Sequence, residues 1–451
     1  EDILVLKNNK GTEDNRVRKL DYSIQISKLF YERFIKNADI TLFSPNHVPG
    51  LYEAFGMPEF DSLYLKYEKD KSIPKQTIGA QELFQALLKE RAETGRIYIM
   101  NLDHCNTHSS FKDKVYMSNL CQEITLPTTP VQHIDDKEGE IALCILSAIN
   151  LGLLTDMNEL EELCDLSVRA LDEIIDYQEY PVEAAKISTQ ARRSLGIGYI
   201  GLAHYLAKNQ VSYEDKKALK IVDKVTEAFQ FYLLKASNNL AKEKTRCLWF
   251  EKTKYSDGIL PIDTYKKELD EIVKRDYTYD WEWLRKEIKE HGLRHSTLSA
   301  QMPSESSSVV SNATNGVEPP RDYLSIKKSK KGPLKQIVPD YNRLKNYYTL
   351  LWDMKGNEGY INIIAVMQKY FDQAISGNWS YNPENYKDGE VPLSVMAQDL
   401  LTTYKLGWKT AYYQNTYDAK SDIDEPVHPV GWHDGVEETP EEKKKEDDEE
   451  N

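Results

Sequence analysis

Short apolar runs alternate with longer amphipathic segments along most of this chain, and this alternation limits the folds that it can adopt. The short runs are typical of β-strands, and the longer segments have the 3.6-residue periodicity of helices. Strands that alternate with helices favour an α/β fold with mostly parallel strands. The predicted helices are 22–37, 80–94, 156–177, 216–244 and 357–376, and the predicted strands are 96–102, 119–126, 143–150, 195–202, 298–302 and 409–414.

Composition excludes several classes of protein. The chain has 451 residues, enough for a domain with its own core, and a formal net charge of −15. It contains no stripe of Lys and Arg with interleaved aromatics, so nucleic acid is not an expected partner. No apolar run is long enough for a membrane span and no signal peptide is evident. The five cysteines are few and odd in number, which favours a reducing compartment. We therefore expect a cytoplasmic protein.

The last residues differ in composition from the rest. The segment 437–451 has nine acidic residues, three Lys and no Cys. Such a segment cannot bury enough apolar surface to fold, so we expect 423–451 to be a disordered acidic tail.

The stretch Ser118–Ile124 concentrates chemistry in seven residues. In an extended segment alternate side chains share one face, so Asn119, Cys121 and Glu123 would point into one small volume. A thiol between an amide and a carboxylate suits attack or hydrogen-atom transfer on a polyhydroxylated ligand. The stretch is also typical of a buried cysteine in an ordinary core strand, which is the commoner situation.

Three further segments carry polar or redox-capable side chains. Cys144 lies in the apolar run 140–151, which predicts a buried strand or core helix. Tyr412 and Tyr413 are adjacent, and neighbours in a strand normally face opposite ways. The segment 302–308 has the Pro, hydroxyl and acidic residues of a helix N-terminus. Such a terminus suits a phosphate, although helix starts are common.

Together these segments resemble the large, catalytic subunit of class I ribonucleoside-diphosphate reductases. The shared motifs are Ser-Asn-Leu-Cys-x-Glu-Ile, Glu-Ile-Ala-Leu-Cys, the block 302–321 and Tyr-Tyr-Gln-Asn-Thr, and the likeness runs from about residue 4 to about residue 418. The resemblance implies most of a ten-stranded α/β barrel, with a central finger loop that carries Cys121. It places the barrel portion at 1–422, with an outside insertion at about 243–292. The first strands and the N-terminal helical domain of the family would be absent.

The resemblance also implies a reaction, the reduction of ribonucleoside diphosphates by radical chemistry. Cys121 would become a transient thiyl radical that removes the 3′-hydrogen of the ribose. Glu123 would act as general base at the 3′-hydroxyl, and Asn119 would orient the sugar. Cys144 would be one member of the reducing dithiol, whose other member belongs to the missing N-terminal portion.

Further residues follow from the same resemblance. Tyr412 and Tyr413 would be a stacked pair that passes the radical to Cys121. The substrate phosphates would be held by Ser304, Glu305, Ser306 and Ser307.

The implied partners supply what this chain lacks. A radical-generating small subunit would carry a dimetal (iron) centre with a tyrosyl radical, and a thioredoxin- or glutaredoxin-type dithiol would be the reductant. This chain itself would bind neither cofactor nor metal. Two explanations fit the missing N-terminal half, a separate chain that supplies it or a truncation, and the acidic ending, which is typical of a finished tail, favours the separate chain. The chain alone should then not turn over.

Other interpretations lead to other functions. A non-catalytic nucleotide-binding barrel or an inactive fragment would keep the substrate site without the reducing pair, and a Cys-based hydrolase would need a His near Cys121. The segment His104–His108 has metal-ligand residue types but no second cluster at ligand spacing. The glycines at 196, 198 and 201 match a dinucleotide-binding pattern, but we expect them to permit close backbone approach instead.

Overall fold

The computed structural model describes residues 21–329 and 332–418, so the predicted tail at 423–451 lies outside the described residues. The strands are β1 Ser23–Ile26, β2 Asp39–Phe43, β3 Lys75–Gly79, β4 Tyr98–Asn101, β5 Ile145–Asn150, β6 Leu195–Ile200, β7 Leu324–Ser329, β8 Gly332–Ile337, β9 Trp379–Tyr381, β10 Thr410–Ala411 and β11 Gln414–Thr416.

Helices separate most of these strands. They are α1 Lys28–Ile35, α2 Leu51–Ala54, α3 Phe60–Lys69, α4 Ala80–Thr94, α5 Leu102–Thr107, α6 Glu159–Tyr177, α7 Glu183–Arg192, α8 Leu202–Lys208, α9 Lys216–Lys244, α10 Pro261–Thr264, α11 Trp281–His291, α12 Glu305–Val310, α13 Tyr341–Leu344, α14 Glu358–Gln368 and α15 Leu393–Lys405.

Parallel pairing links strands that are distant in sequence. β1 pairs with β4, β5 with β6, and β9 with β11, all in parallel. Single parallel bridges continue this pattern from Ile197 to Ser299 and from Gln301 to Ile375. Antiparallel pairing joins β10 to β4, β2 to β3 and β7 to β8. Helices run between the parallel partners, as such connections require, so the predicted α/β class is confirmed.

The long helix α9 lies at the centre of the main core. It is buried on nearly every face from Ala218 to Ala241, as expected for a helix surrounded by other elements. It packs against α6, α14 and α11. The segment 243–292, predicted as an outside insertion, contributes buried core residues through Trp281, Leu284 and Ile288 of α11.

Two predicted elements are wrong in type. The predicted helix 22–37 is divided, because Ser-Ile-Gln-Ile alternates and pairs with β4 as a strand before α1 begins. The predicted strand 119–126 is a turn followed by irregular backbone. Gln122 has a left-handed φ of 68°, and its N–H donates to the carbonyl of Asn119 across 3.2 Å. An extended strand cannot contain such a residue, so the expected alternation of faces does not apply.

Candidate active site

The turn that carries Cys121 is fixed at both sides. Internally, the Asn119 Oδ1 atom accepts the N–H of Ile124 at 3.1 Å. Externally, the Thr410 hydroxyl donates to the carbonyl of Gln122 at 2.9 Å, and the Ser23 hydroxyl donates to the Gln122 Oε1 atom at 3.2 Å. The ends of β1 and β10 therefore hold this loop, which compensates for its lack of ladder hydrogen bonds.

The Cys121 thiol remains protonated near neutral pH. Burial, and to a smaller extent the Glu123 carboxylate, raise the pKa of Cys121 to about 11, although a hydrogen bond from Tyr412 acts in the opposite direction. The Tyr412 hydroxyl donates to the Cys121 Sγ atom at 3.4 Å. A thiolate is the form that attacks electrophiles. This environment therefore suits a thiol that exchanges a hydrogen atom better than a nucleophile.

Tyrosines cluster behind this thiol. The ring centroids of Tyr412 and Tyr413 lie 4.3 Å apart at an angle of 64°. The expected stacking is therefore wrong, because the rings meet edge to face, the geometry that the aromatic quadrupole favours over a sandwich. Tyr98 of β4 contacts both, with centroid distances of 4.6 Å to Tyr412 and 5.2 Å to Tyr413. The three rings form one continuous aromatic cluster.

A buried arginine on α4 fixes the backbone of this pair. The Arg91 guanidinium donates to the carbonyls of Tyr412 at 2.7 Å and Tyr413 at 3.2 Å. It also lies over the Trp379 ring, 4.7 Å from the centroid. The guanidinium holds several donors in one rigid plane, so it can fix two successive carbonyls together.

Glu123 lies on the same loop and is only 3% exposed. Burial raises the pKa of Glu123 above its usual value, and hydrogen bonds from Asn119 and Ser376 oppose the shift. The Ser376 hydroxyl lies 3.1 Å from the Glu123 Oε2 atom and also bonds the carbonyl of Cys121. A carboxylate with a raised pKa beside a half-buried thiol is suited to accept a proton. The turn thus brings Asn119, Cys121 and Glu123 together, although not through strand alternation.

Cys144 immediately precedes β5 and lies close to the same loop. Its Sγ atom accepts a hydrogen bond from the Gln373 Nε2 atom at 3.4 Å. Burial raises the pKa of Cys144 above the ordinary thiol value, and the charge of Glu123 contributes to the shift. A Cβ atom at Gly196 would lie 2.7 Å from this sulfur, so only glycine leaves room for the thiol here.

A cavity of about 710 Å³ opens beside the tyrosines. Ser376, Tyr412 and Tyr413 line one part of it, and Glu305 of α12 lines another. Its other lining residues include Pro303, Ser308, Asn315, Arg321 and Asn378. The cavity therefore connects the tyrosine pair to the N-terminus of α12.

The four residues predicted to hold phosphates lie at the beginning of α12. Ser304 is buried, and its N–H already donates to the Asn315 Oδ1 atom at 3.1 Å. Glu305 faces the cavity, whereas Ser306 and Ser307 are exposed. The structure thus brings Glu305 to the cavity and leaves the three serines outside its lining.

Several residues that contact the candidate site lie outside any recognisable sequence motif. Arg91, Tyr98, Gln373 and Ser376 belong to ordinary-looking segments, and only the fold brings them to the cysteines. For Arg91 alone a signal existed, since an arginine on the apolar face of a predicted helix requires buried acceptors.

The glycines and histidines that resemble cofactor or metal motifs in the sequence pack against other parts of the fold. A Cβ atom at Gly198 would lie 2.7 Å from the carbonyl of Ala300, which bears out the expected close backbone approach. His104 and His108 are buried and bond the carbonyls of Trp408 and Gln368. Within residues 21–329 and 332–418, no cluster of three or more His, Cys, Asp or Glu side chains is arranged to hold a metal ion.

None of the helices in residues 21–329 and 332–418 has both the length and the apolar character needed to cross a bilayer.

Comparison with known proteins shows which family this chain matches. Residues 1–414 match the family described as ribonucleotide reductase, barrel domain. The chain is 59% identical over 432 residues to the ribonucleoside-diphosphate reductase subunit alpha of Haemophilus influenzae, an alignment that covers 95% of this chain and 57% of that protein. It is 57% identical over 442 residues to the reductase 1 subunit alpha of Escherichia coli, covering 97% of this chain and 58% of that protein.

A viral relative matches over the same span. The subunit alpha of Enterobacteria phage T4 is 44% identical over 434 residues, covering 94% of this chain and 57% of that protein. The chain thus spans less than three fifths of the length of these curated relatives. Because the family match extends over most of its residues, the chain belongs to the ribonucleotide reductase barrel-domain family.

Proposed function

We propose that this chain carries the radical chemistry of a class I ribonucleoside-diphosphate reductase large subunit, which converts ribonucleoside diphosphates to deoxyribonucleoside diphosphates. The observation that carries the proposal is the 3.4 Å contact between the Tyr412 hydroxyl and the Cys121 Sγ atom. An oxidised Tyr412 can take the S–H hydrogen atom directly across this contact. Tyr413 lies in ring contact behind Tyr412, so it can re-oxidise that residue in turn.

The residues around Cys121 fit the steps of such a reduction. The Cys121 thiyl radical removes the 3′-hydrogen of the ribose while Glu123 accepts the 3′-hydroxyl proton and Asn119 orients the sugar. The 2′-hydroxyl then leaves as water. Cys144 and a second cysteine supply two electrons and two protons and become a disulfide, and Cys121 returns its hydrogen to C3′. One ribonucleotide and one dithiol give one deoxyribonucleotide, one disulfide and one water.

The cavity beside Tyr412 is the proposed place for the nucleotide. Ser304, Glu305, Ser306 and Ser307 lie at the beginning of α12, where the positive end of the helix dipole favours an anion. We propose that they hold the diphosphate. Because Glu305 is acidic, the favourable groups there are the backbone N–H donors and the hydroxyls, and not this carboxylate.

We further propose the architecture that the family resemblance implies. The chain would form most of a ten-stranded α/β barrel over 1–422, with the Cys121 loop as its central finger and 423–451 as an acidic tail. Within the described residues β5 pairs only with β6, and its Leu146 side chain is 43% exposed. An open strand edge with exposed apolar side chains supports a covering segment. We propose that a separate chain supplies this segment and the second cysteine of the reducing pair.

Two more partners follow from the chemistry. The radical would come from a small subunit with a dimetal (iron) centre and a tyrosyl radical, and the disulfide would be reduced by a thioredoxin- or glutaredoxin-type dithiol. The five cysteines at 105, 121, 144, 164 and 247 are unpaired, which supports the reducing environment of the cytoplasm.

A non-catalytic nucleotide-binding barrel is not favoured. Such a protein has no need for a protonated thiol in contact with a tyrosine, nor for a buried carboxylate beside that thiol. Here the Tyr412 hydroxyl contacts the Cys121 sulfur, and Glu123 lies two residues further along the same loop.

Reduction by the complex that co-purifies with this chain tests the proposal. We expect deoxycytidine diphosphate from cytidine diphosphate, a dithiol reductant and the small subunit. Cys121→Ser should abolish the product, whereas Cys247→Ala, which alters a buried cysteine away from this loop, should retain it. If the complex lacks activity, or if the Cys121→Ser variant retains it, the proposal is wrong. If full activity needs no polypeptide other than this chain and the small subunit, the separate-chain arrangement is wrong but the chemistry stands.

A further inference from the structure

One glutamine side chain connects the segments that carry the two site cysteines. The Gln373 Nε2 atom donates to the Cys144 Sγ atom at 3.4 Å and to the carbonyl of Leu195 at 3.0 Å. Its Oε1 atom accepts the N–H of Thr125 at 3.1 Å, two residues beyond Glu123. The side chain is fully buried, and both of its amide hydrogens and its carbonyl oxygen are used.

The backbone that follows Gln373 supports the same loop. The N–H of Ala374 donates to the carbonyl of Glu123 at 3.0 Å, and the Ser376 hydroxyl bonds both Glu123 and the carbonyl of Cys121. The segment 373–376 therefore touches the Cys144 sulfur at one end and the Cys121 loop at the other. A shift of this segment would change both thiols together.

A buried lysine holds the turn in which Gln373 lies. The Lys409 Nζ atom donates to the carbonyls of Phe371 at 3.4 Å, Asp372 at 2.9 Å and Gln373 at 2.8 Å. Gln368 adds a donor from α14, with its Nε2 atom 2.8 Å from the carbonyl of Gln373. Because Lys409 is fully buried, these carbonyls compensate for its lost hydration and tie the turn to this side chain.

We propose that Gln373 is a positioning residue that directs the Cys144 sulfur and stabilises its thiolate, with Lys409 fixing the turn from behind. The inference rests on the proposed function, in which Cys144 is a reducing thiol. An N–H donor aimed at sulfur favours the charged form, so it increases the small fraction of thiolate that can enter disulfide exchange. A donor is useful here because burial disfavours that form.

The test measures the thiol itself and does not depend on turnover. The rate of Cys144 alkylation by iodoacetamide is followed against pH in the assembled complex by peptide mass spectrometry. Cys144 is partly exposed in this chain, and iodoacetamide is small enough to enter a site that must admit a dithiol reductant in the complex. Gln373→Glu keeps the size of the side chain but removes the donor, and we expect alkylation at fixed pH to slow at least ~10-fold, which corresponds to one pKa unit.

Gln368→Glu is the matched control, because it removes a donor to the same turn without touching sulfur. We expect it to change the alkylation rate less than ~3-fold. Equal slowing in both variants would mean that Gln373 acts only on the fold, and an unchanged rate in Gln373→Glu would overturn the inference. Should that variant fail to fold, Gln373→Asn, which keeps the amide but is one methylene shorter, must give the same slowing.

Activity in the same preparations separates the two proposals. If wild-type complex reduces ribonucleotides and Gln373→Glu leaves both alkylation and turnover unchanged, this inference fails while the proposed function stands. If Gln373→Glu slows alkylation but the wild-type complex forms no deoxynucleotide, the role of Gln373 at the thiol stands and the proposed function fails.

Discussion

The charge of one carboxylate, Glu123, acts on both site cysteines, yet their surroundings differ. Cys121 is at the tip of a turn, against the tyrosine cluster, and receives a hydrogen bond from the Tyr412 hydroxyl. Cys144 precedes a strand, away from those rings, and receives its hydrogen bond from an amide. A redox-active neighbour suits hydrogen-atom exchange, whereas a neutral donor suits thiolate chemistry. The comparison indicates that the neighbours of each thiol, and not its residue type, distinguish the two proposed roles.

Replacing each of the two cysteines in turn should give the largest effects on activity and should distinguish their two proposed roles. Cys121→Ser should lower every step by at least ~10⁴-fold, including release of tritium from 3′-labelled substrate, because the hydroxyl O–H bond is too strong to take part. Cys144→Ser should block deoxynucleotide formation equally but retain measurable tritium release, since that step precedes reduction. Scintillation counting of released water provides the measurement. Loss of tritium release in both variants would remove the distinction.

The tyrosine cluster allows a sharper comparison of hydroxyl groups. Tyr412→Phe removes the hydroxyl that reaches Cys121 and should lower deoxynucleotide formation at least ~10³-fold. Tyr98→Phe keeps a ring in contact with the pair and should cost less than ~10-fold. Steady-state kcat measures both. Comparable losses would indicate that Tyr98 also lies on the radical path.

Glycine at position 196 leaves room for the sulfur of Cys144, and a larger residue there should destabilise the fold. Gly196→Ala places a Cβ atom 2.7 Å from the Cys144 Sγ atom and 2.6 Å from the Leu146 Cδ2 atom. We expect a loss of about 1–3 kcal/mol in the free energy of unfolding, as for other overpacked sites. Gly356→Ala is the control, because a Cβ there meets no atom within 4 Å. Chemical denaturation of both variants gives the values, and equal stability would contradict the packing.

The smallest expected effect concerns the pH dependence of activity, which Glu123 should control. Burial raises the pKa of Glu123, and a base must be ionised, so activity should rise as pH increases through that raised value. Ser376→Ala removes a hydrogen bond that lowers the pKa, so this rising limb should move to higher pH and activity on the limb should fall ~3- to 10-fold. The pH profile of kcat/KM measures this. Ser380→Ala, which lies outside these contacts, should leave the limb in place.

Prediction from the sequence succeeded where the signal was local. The helices at 80–94 and 216–244 have the predicted bounds, because an uninterrupted apolar periodicity and a glycine at position 95 mark their extent. The sequence pattern does not predict the antiparallel pairs β2–β3 and β7–β8, since their strands mix polar and apolar residues and are partly exposed. The 119–126 segment was assigned to the wrong element because its left-handed residue is Gln122, a side chain that gives no such signal.

The alternation of strands and helices, the family, and the identity of the thiols, carboxylate and tyrosines follow from residue type and spacing alone. Which of these groups meet depends on the fold. Arg91 reaches the tyrosine carbonyls from more than 300 residues away, and Gln373 reaches Cys144 from more than 200 residues away. Such contacts depend on how distant elements pack, and a linear pattern does not record the distance between side chains that are remote in the chain.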